Sequence, residues 1–489
     1  MLPVRVAADT HAAANCTLSA VQTAIDASAT GDTVTIPSCS SGEAWTSAAT
    51  VTGKNIIIQG AGTASTLITA TAGSLFNLGT TSSRLTNMAL TVSGTATNVV
   101  KVYGNGWQVD NILFTNNSPT STVIFVYAGG AEGIIWPTGV IYQNIIYNGK
   151  VLVTDDSSIS RPHTRWYTSA TLGDENAVYV EDNTFIRTVN LDTNQVDENQ
   201  GMRYVFRYNT MSAVSARAPS ALVHGVQSAT NRGGRTWEIY GNLYTNPAGY
   251  TKSTSMWARA GTGVMFNNSL VGPWTNTVTV DADRIFDADT TINDKLSGTC
   301  DGDNTADGNT LGIGYPCRDQ VGMGIDASLF TTSGSPNYTI TNAGAQTSTP
   351  AYIWGIYDDG AWKNVQAANS SASYIAANRD YYQQVVSFDG TSGTGCGALG
   401  ARPATCTAGV GYWATAQSCS DLTGMVGATP STPIAGTLYK CTATDTWTAY
   451  YTPYTYPHPL RQAYWGTIST PKGFFISGVN SGEGVTISY

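Results

Sequence analysis

One short pattern recurs through the first half of this chain and restricts what it can fold into: an apolar or aromatic residue, one or two polar ones, an Asn, then a second apolar run. It appears as Leu85-Thr-Asn-Met-Ala-Leu, Val109-Asp-Asn-Ile-Leu-Phe, Ile141-Tyr-Gln-Asn-Ile-Ile-Tyr and Val180-Glu-Asp-Asn-Thr-Phe, then as Phe206-Arg-Tyr-Asn-Thr-Met, Ile239-Tyr-Gly-Asn-Leu-Tyr and Val264-Met-Phe-Asn-Asn-Ser-Leu. The Asn positions are 87, 111, 144, 183, 209, 242 and 267, with spacings of 24, 33, 39, 26, 33 and 25. An irregular period that never falls below one coil fits a stack of coils with loops of varying length on the same side. An Asn at each bend can adopt the left-handed conformation and hydrogen-bond its equivalents in adjacent coils, which predicts a ladder.

Composition agrees. Only 12% of residues are charged, about half the share of an ordinary globular domain, and Thr, Ser, Asn and 51 Gly stand in their place. Such residues suit short strands and tight turns, so the expected class is all-β. At about 150 residues per domain, 489 residues suggest several domains, but a solenoid whose layers touch only their neighbours exceeds that prior. The expected layout is an N-terminal cap with the first strands over 1–50, a coil body over 51–390, and a Cys- and aromatic-rich decoration with final strands over 391–489. Tyr450-Tyr-Thr-Pro-Tyr-Thr-Tyr-Pro-His-Pro-Leu is too rich in Pro for a central strand and is expected to wrap over the solenoid.

Leu18-Ser-Ala-Val-Gln-Thr-Ala-Ile-Asp-Ala is apolar at helical spacing, and it leads through Ala29-Thr-Gly-Asp into the strand Thr33-Val-Thr-Ile-Pro and then Lys54-Asn-Ile-Ile-Ile-Gln-Gly-Ala-Gly. This order of capping helix, GDTVTIP and NIIIQGAG resembles the opening of bacterial right-handed parallel β-helix proteins of the pectate-lyase-like superfamily. The strings at 307–309, 314–320, 438–447 and 450–460 (DGN, GYPCRDQ, LYKCTATDTW and YYTPYTYPHPL) are similar to segments of bacterial and phage-associated extracellular β-helix proteins. The resemblance implies a right-handed solenoid. It brings no established reaction: of the polygalacturonase motifs on this fold, the chain has only Val223-His-Gly and Asp155-Asp156, out of context.

The formal net charge of −9 and pI near 4.9 disfavour nucleic acid and anionic membrane surfaces as partners. No run approaches the ~18 apolar residues of a membrane span, and the start reads as a mature N-terminus behind an initiator Met. Eight cysteines fall into close sequence pairs, Cys16 with Cys39, Cys300 with Cys317, Cys396 with Cys406, and Cys419 with Cys441, none with zinc or redox spacing. Disulfides pinning the C-terminal loops, and a secreted or virion-surface location, are expected. The oligomeric state is open between monomer and the homotrimer of phage tailspikes of this architecture.

Charge is sparse, so its clustering informs: residues 150–260 hold 11 of the 24 Lys and Arg. Stacked coils bring such residues onto one face about 4.8 Å apart. A groove for an extended polysaccharide is expected there, with two candidate reactions. In a lyase acting on a uronic-acid polymer, Arg203 or Arg235 neutralises the substrate carboxylate, His224 is the base and Tyr204 the proton donor. In a glycosidase, Asp182, Asp197 and Glu238 supply the two carboxylates. Arg207, Arg232, Trp237 and Trp166 are expected to bind substrate, since Trp faces grip sugar rings. Against this, Asp182 can simply cap a turn, Arg207 can pair with Glu181 one coil away, and the Trp residues can plug coil ends. A non-catalytic adhesin or a structural protein is the rival class. Calcium is a candidate cofactor at Asp301, Asp303 and Asp307, although Ala306 stands where an EF-hand loop needs Gly.

Overall fold

The computed structural model describes residues 8–79, 81–118, 122–127, 136–155, 165–189, 194–213, 221–226, 232–246, 252–281, 317, 319–325, 346–367 and 375–461. Helix α1 (Leu18–Ala27) sits at the N-terminal end with Val21, Ala24 and Ile25 buried. Thr17 caps its start by accepting the Ala20 N–H at 3.3 Å. Lys54, from a later coil, donates to the carbonyls of Ile25, Asp26 and Ser28 at 2.8, 3.2 and 2.7 Å, placing a cation at the negative end of the helix.

Beyond the helix, strands of successive coils pair in parallel. Thr138–Tyr142 lies beside Val178–Glu181, followed by Arg203–Arg207, Thr236–Tyr240 and Thr262–Val271. The described strands form one ten-stranded sheet, running from Ala49–Thr50 to Gln366–Ala367, and one nineteen-stranded sheet that bends once per coil into two walls. This is a parallel β-helix, and strand twist makes right-handed the expected hand of its crossovers. Because side chains alternate across each strand, Val151, Val153, Val180, Val196, Phe206, Val223 and Ile239 fill one continuous interior. Trp107, Tyr204 and Trp237 share that interior with the aliphatic residues.

At the bend, two adjacent positions divide the work expected of one Asn. Asn144, Asn183, Asn209, Asn242 and Asn268 form the ladder, each side-chain amide donating to the next Asn carbonyl oxygen at 3.0, 3.0, 3.1 and 3.0 Å. The same oxygens also accept the backbone N–H of the preceding Asn. The left-handed φ belongs to the residue just before each rung: Gln143, Asp182, Tyr208, Gly241 and Asn267. Asn87 and Asn111 occupy that left-handed position themselves, with Met88 and Ile112 following where later coils place a rung. Thus Asn268, not Asn267, is the last rung. A bend needs one residue with φ > 0 and a second whose amide points inward, and the repeating Asn serves either need. Asn209 also donates to the carbonyls of Val180 and Arg207. Asn209→Ala is expected to lower stability by about 2–3 kcal/mol, read as a fall in the denaturation midpoint, because it strands buried backbone groups. An unchanged midpoint would show that the ladder contributes nothing.

After the last coils comes a four-stranded sheet. Thr394–Gly397 pairs in parallel with Gly411–Ala414, and Thr437–Ala443 and Thr446–Tyr451 follow antiparallel. Disulfides join Cys16 to Cys39, Cys396 to Cys419 and Cys406 to Cys441, and Cys317 is also disulfide-bonded. The C-terminal four therefore interleave instead of closing the two nearest-neighbour loops. Strand 411–414 lies between both pairs in sequence, and its antiparallel partner 437–443 carries Cys441 back to the loop holding Cys406. Cys300, Asp156, Asp301, Asp303 and Asp307 lie outside the described residues.

This C-terminal unit covers the outward face of one wall of the larger sheet. Val140, Tyr142, Tyr179, Val205, Tyr240, Val264, Phe266, Tyr352 and Trp354 project from successive coils and pack with Trp413, Leu438 and Tyr451 in a second core. Phe266 stacks on Tyr240 at 4.6 Å and on Trp354 at 4.4 Å between ring centroids. At about 150–250 Å² buried per aromatic side chain, this contact is as extensive as a small domain core. Among the described residues, no helix is long and apolar enough to cross a membrane.

Candidate functional site

The sequence candidates divide among three environments: the covered wall, the solenoid interior, and the outer face of the ten-stranded sheet.

On the covered wall, Glu181 and Arg207 are neighbours in register and form an ion pair at 2.6 Å with both side chains fully buried. Arg207 also donates to the Tyr240 hydroxyl at 2.9 Å and to the carbonyls of Tyr454 and Thr455 at 2.7 and 2.9 Å. Asp182 accepts from the Thr429 N–H and the Tyr456 hydroxyl, each at 2.8 Å, and from Arg461. Glu238 accepts from the Gly173 N–H and the Tyr451 hydroxyl at 2.7 Å each. Burial raises the pKa of both Asp182 and Glu238. Neither faces a groove: both fasten the C-terminal unit to the solenoid. Arg203 is likewise spent, donating to Thr236 at 2.9 Å, to the Thr171 carbonyl and to Asp174 at 3.1 Å, beneath the Trp136 ring.

In the interior, alternation turns Tyr204 and Trp237 away from solvent. Trp237 Nε1 donates to the Ala260 carbonyl at 3.0 Å, and burial drives the Tyr204 hydroxyl well above its ordinary pKa. These two expectations, proton donor and sugar platform, are corrected: a residue whose strand neighbours point outward must itself point in. Glu198 also points inward. Its Oε1 accepts the Arg235 N–H at 3.1 Å, and desolvation raises its pKa well above the ordinary value.

Trp166 lies at the edge of the coils, its indole donating to the Gly233 carbonyl at 3.2 Å, with the Arg232 and Arg235 guanidinium groups 4.8 and 5.0 Å from its ring. Arg232 forms a fully buried two-pronged pair with Asp319, both contacts 2.7 Å. This edge is a structural seam, and sugar rings have no access to the Trp166 face.

The outer face of the ten-stranded sheet is mixed: Lys101, Phe125, Leu152 and Trp257 are half-buried, whereas Asp197 and Leu222 between them are buried. Register aligns one row of outward side chains across six strands, Lys101, Phe125, Leu152, Asp197, Leu222 and Trp257. At about 4.8 Å per strand the row is about 24 Å long. Two positions further along the strands, Tyr127 stands beside Thr154, and its ring meets Tyr103 at 5.8 Å. Asp197 lies at the row's centre. Its Oδ1 is 3.3 Å from His224 Nδ1, and its Oδ2 is 4.0 Å from Lys150 Nζ. His224 is fixed through its backbone, its N–H donating to the Glu198 carbonyl at 2.7 Å and its carbonyl accepting from Gly234 at 2.9 Å. The His224 and Lys150 side chains keep 18% and 19% exposure, whereas Arg203, Arg207 and Arg232 keep 2% or less. An imidazole oriented by a carboxylate beside an ammonium group can move a proton next to a bound anion.

Sequence reasoning found His224 and Asp197 but missed Lys150, Lys101, Phe125 and the tyrosines. The available signal was the alternation in Lys150-Val-Leu-Val-Thr, which marks 150, 152 and 154 as one face. Which strand of another coil lies opposite depends on loop lengths, and these vary. Among the described residues, no group of three His, Cys, Asp or Glu side chains is arranged to hold a metal ion. No family model, no curated protein and no solved structure matches the chain.

Proposed function

We propose that this is a secreted carbohydrate-active protein that lays an extended uronic-acid polymer along the outer face of the ten-stranded sheet and cleaves it by β-elimination. The observation that carries the reading is the Asp197–His224 pair, flanked by Lys150, at the centre of an aromatic and aliphatic row. Phe125 and the tyrosines offer apolar faces to sugar rings, while the Arg259 guanidinium lies over the Trp257 ring at 4.8 Å. Lys150 neutralises the uronate carboxylate, which acidifies the proton on the adjacent carbon. His224, oriented by Asp197 through Nδ1, removes that proton at Nε2, which is buried in the free protein and is uncovered as the polymer seats. The electron pair of the broken C–H bond forms the C=C bond, the β C–O bond breaks, and the departing oxygen takes a proton from water on the outer face.

In this reading Lys150 takes the neutralising role first given to Arg203 and Arg235. A hydrolase is less well supported, because two of its three candidate carboxylates, Asp182 and Glu238, lie beneath the C-terminal unit. The disulfides suit an oxidising compartment. The test is a screen of the purified protein against neutral and uronic-acid polysaccharides, reading new reducing ends together with the ultraviolet absorbance of an unsaturated product. Both signals from an anionic polymer are expected. Reducing ends alone would overturn elimination in favour of hydrolysis, and tight binding without either would make the protein an adhesin.

A further inference from the structure

The segment from Thr452 to Arg461 crosses the covered wall as a strap. Pro453, Pro457 and Pro459 remove backbone donors from it, so it cannot add to the sheet as a strand. Side chains hold it instead. Arg207 donates to the Tyr454 and Thr455 carbonyls, Tyr456 to Asp182, and Arg461 to Glu181 at 2.9 Å and to Asp182. The His458 N–H donates to Glu181 Oε1 at 3.0 Å. Nearly every fastening therefore has an ionisable group at one end.

His458 is the member of this network with a built-in conflict. Its ring is buried, 4.5 Å from the Tyr179 ring and 5.4 Å from that of Tyr454. Its Nδ1 accepts the Leu460 N–H at 3.2 Å, which commits the ring to a neutral tautomer with its proton on Nε2. A second proton would have to enter at Nδ1, facing another donor. The groups around the ring are Glu181, Arg207 and Tyr179 on the sheet and Arg461 and Tyr454 on the strap, with Asp182 reached through Arg461. Two guanidinium groups oppose a charged imidazole, and Glu181, already shared by both, offsets them only partly.

We propose that the strap Thr452–Arg461 is an acid-opened latch: protonation of His458 breaks its Nδ1 contact with Leu460, lifts the strap from Glu181, Asp182 and Arg207, and uncovers the aromatic wall of Tyr142, Tyr179 and Tyr208. This device is independent of the outer-face site. Burial lowers the His458 pKa to about 4, from an ordinary value of 6.5. A group with a lowered pKa in the closed state binds fewer protons there, so opening takes up a proton. Opening therefore becomes easier as the pH falls from 6.5 toward 4 and gains nothing further from this group below that range. Over that window the opening constant is expected to rise on the order of a hundredfold from His458 alone. Glu181, held below its ordinary value by Arg207 and Arg461 against the cost of burial, adds to the effect, while Asp182, raised by burial, opposes it.

The experiment is hydrogen exchange of the 452–461 amides in the full chain with disulfides intact, corrected for intrinsic rates, between neutral pH and about pH 4. The comparison is wild type against His458→Gln, which keeps an acceptor for Leu460 but cannot be charged. A rise of about a hundredfold in wild type and a much smaller one in the variant is expected. An equal rise in both, or none in wild type, overturns the latch. Should the variant be open already at neutral pH, NMR titration of the wild-type ring decides, because the chain has only four histidines. Ring protonation coincident with strap exchange supports the proposal, and an ordinary His458 titration with a still strap refutes it.

Discussion

Arg207→Ala is expected to cost about 3–5 kcal/mol and to free the C-terminal unit from the solenoid before the coils themselves unfold. Arg207 is fully buried and uses its guanidinium group four ways: toward Glu181, the Tyr240 hydroxyl, and the Tyr454 and Thr455 carbonyls. Truncation leaves the carbonyls of half-buried Tyr454 and exposed Thr455 without this donor, and Glu181 with only Arg461 as counter-charge. An acceptor orphaned in a buried site costs about 1–3 kcal/mol, and a half-broken buried pair costs more than an absent one. Arg207→Lys should recover little, since one ammonium group cannot reach in the fork geometry that serves a carboxylate and two carbonyls. The measurement is denaturant unfolding with disulfides intact, monitored at Trp413 and Trp447 of the C-terminal unit. A loss below about 1 kcal/mol, the scale of an exposed pair, would show that the aromatic stack alone holds the unit.

His224→Ala is expected to lower turnover of a cleaved uronic-acid polymer by about 10²–10⁴-fold, the usual share of a positioned general base, while leaving polymer binding nearly intact. In the proposed reading the polymer rests on other residues of the row, Phe125 and Leu152, neither of which depends on the imidazole. Lys150→Met should instead weaken binding and turnover together, because the ammonium group meets the substrate carboxylate in the ground state as well as in the transition state. Asp197→Asn should fall between them, its role being to orient His224. If His224→Ala weakens binding as much as turnover, the histidine is a contact and not the base. If Asp182→Asn abolishes turnover while the protein stays folded, the chemistry lies on the covered wall and the outer-face assignment fails.

The site was legible in part, and the division follows residue type. His224 and Asp197 stood out because charge is rare in this chain, so any cluster of it draws notice. The same rarity drew attention to Asp182, Glu238, Arg203, Arg207 and Arg232, which the structure spends on anchoring and on a buried seam. A buried ion pair and a catalytic pair use the same residue types, and sequence does not record which will be roofed over. Tyr204 and Trp237 failed for another reason. Each alternates with polar or charged neighbours, Arg203 before Tyr204 and Thr236 and Glu238 around Trp237, so the strand pattern itself marked both as inward-facing.

What the sequence determined by itself was the coil. The recurring Asn with apolar runs on either side encodes a bend and two strands, and this local chemistry holds whatever lies opposite, so the solenoid, its helical cap and its all-β class could be read directly. Even there, Asn267 and Asn268 could not be told apart, because either side chain satisfies one of the two needs of the bend. The tertiary structure alone decided which face the C-terminal unit covers. That depends on register between coils joined by loops of unequal length, and on a C-terminal unit that reaches back more than two hundred residues to set Tyr451 on Glu238 and Tyr456 on Asp182. Such contacts come from surfaces that meet only after both parts have folded, so no local pattern in either segment announces the other.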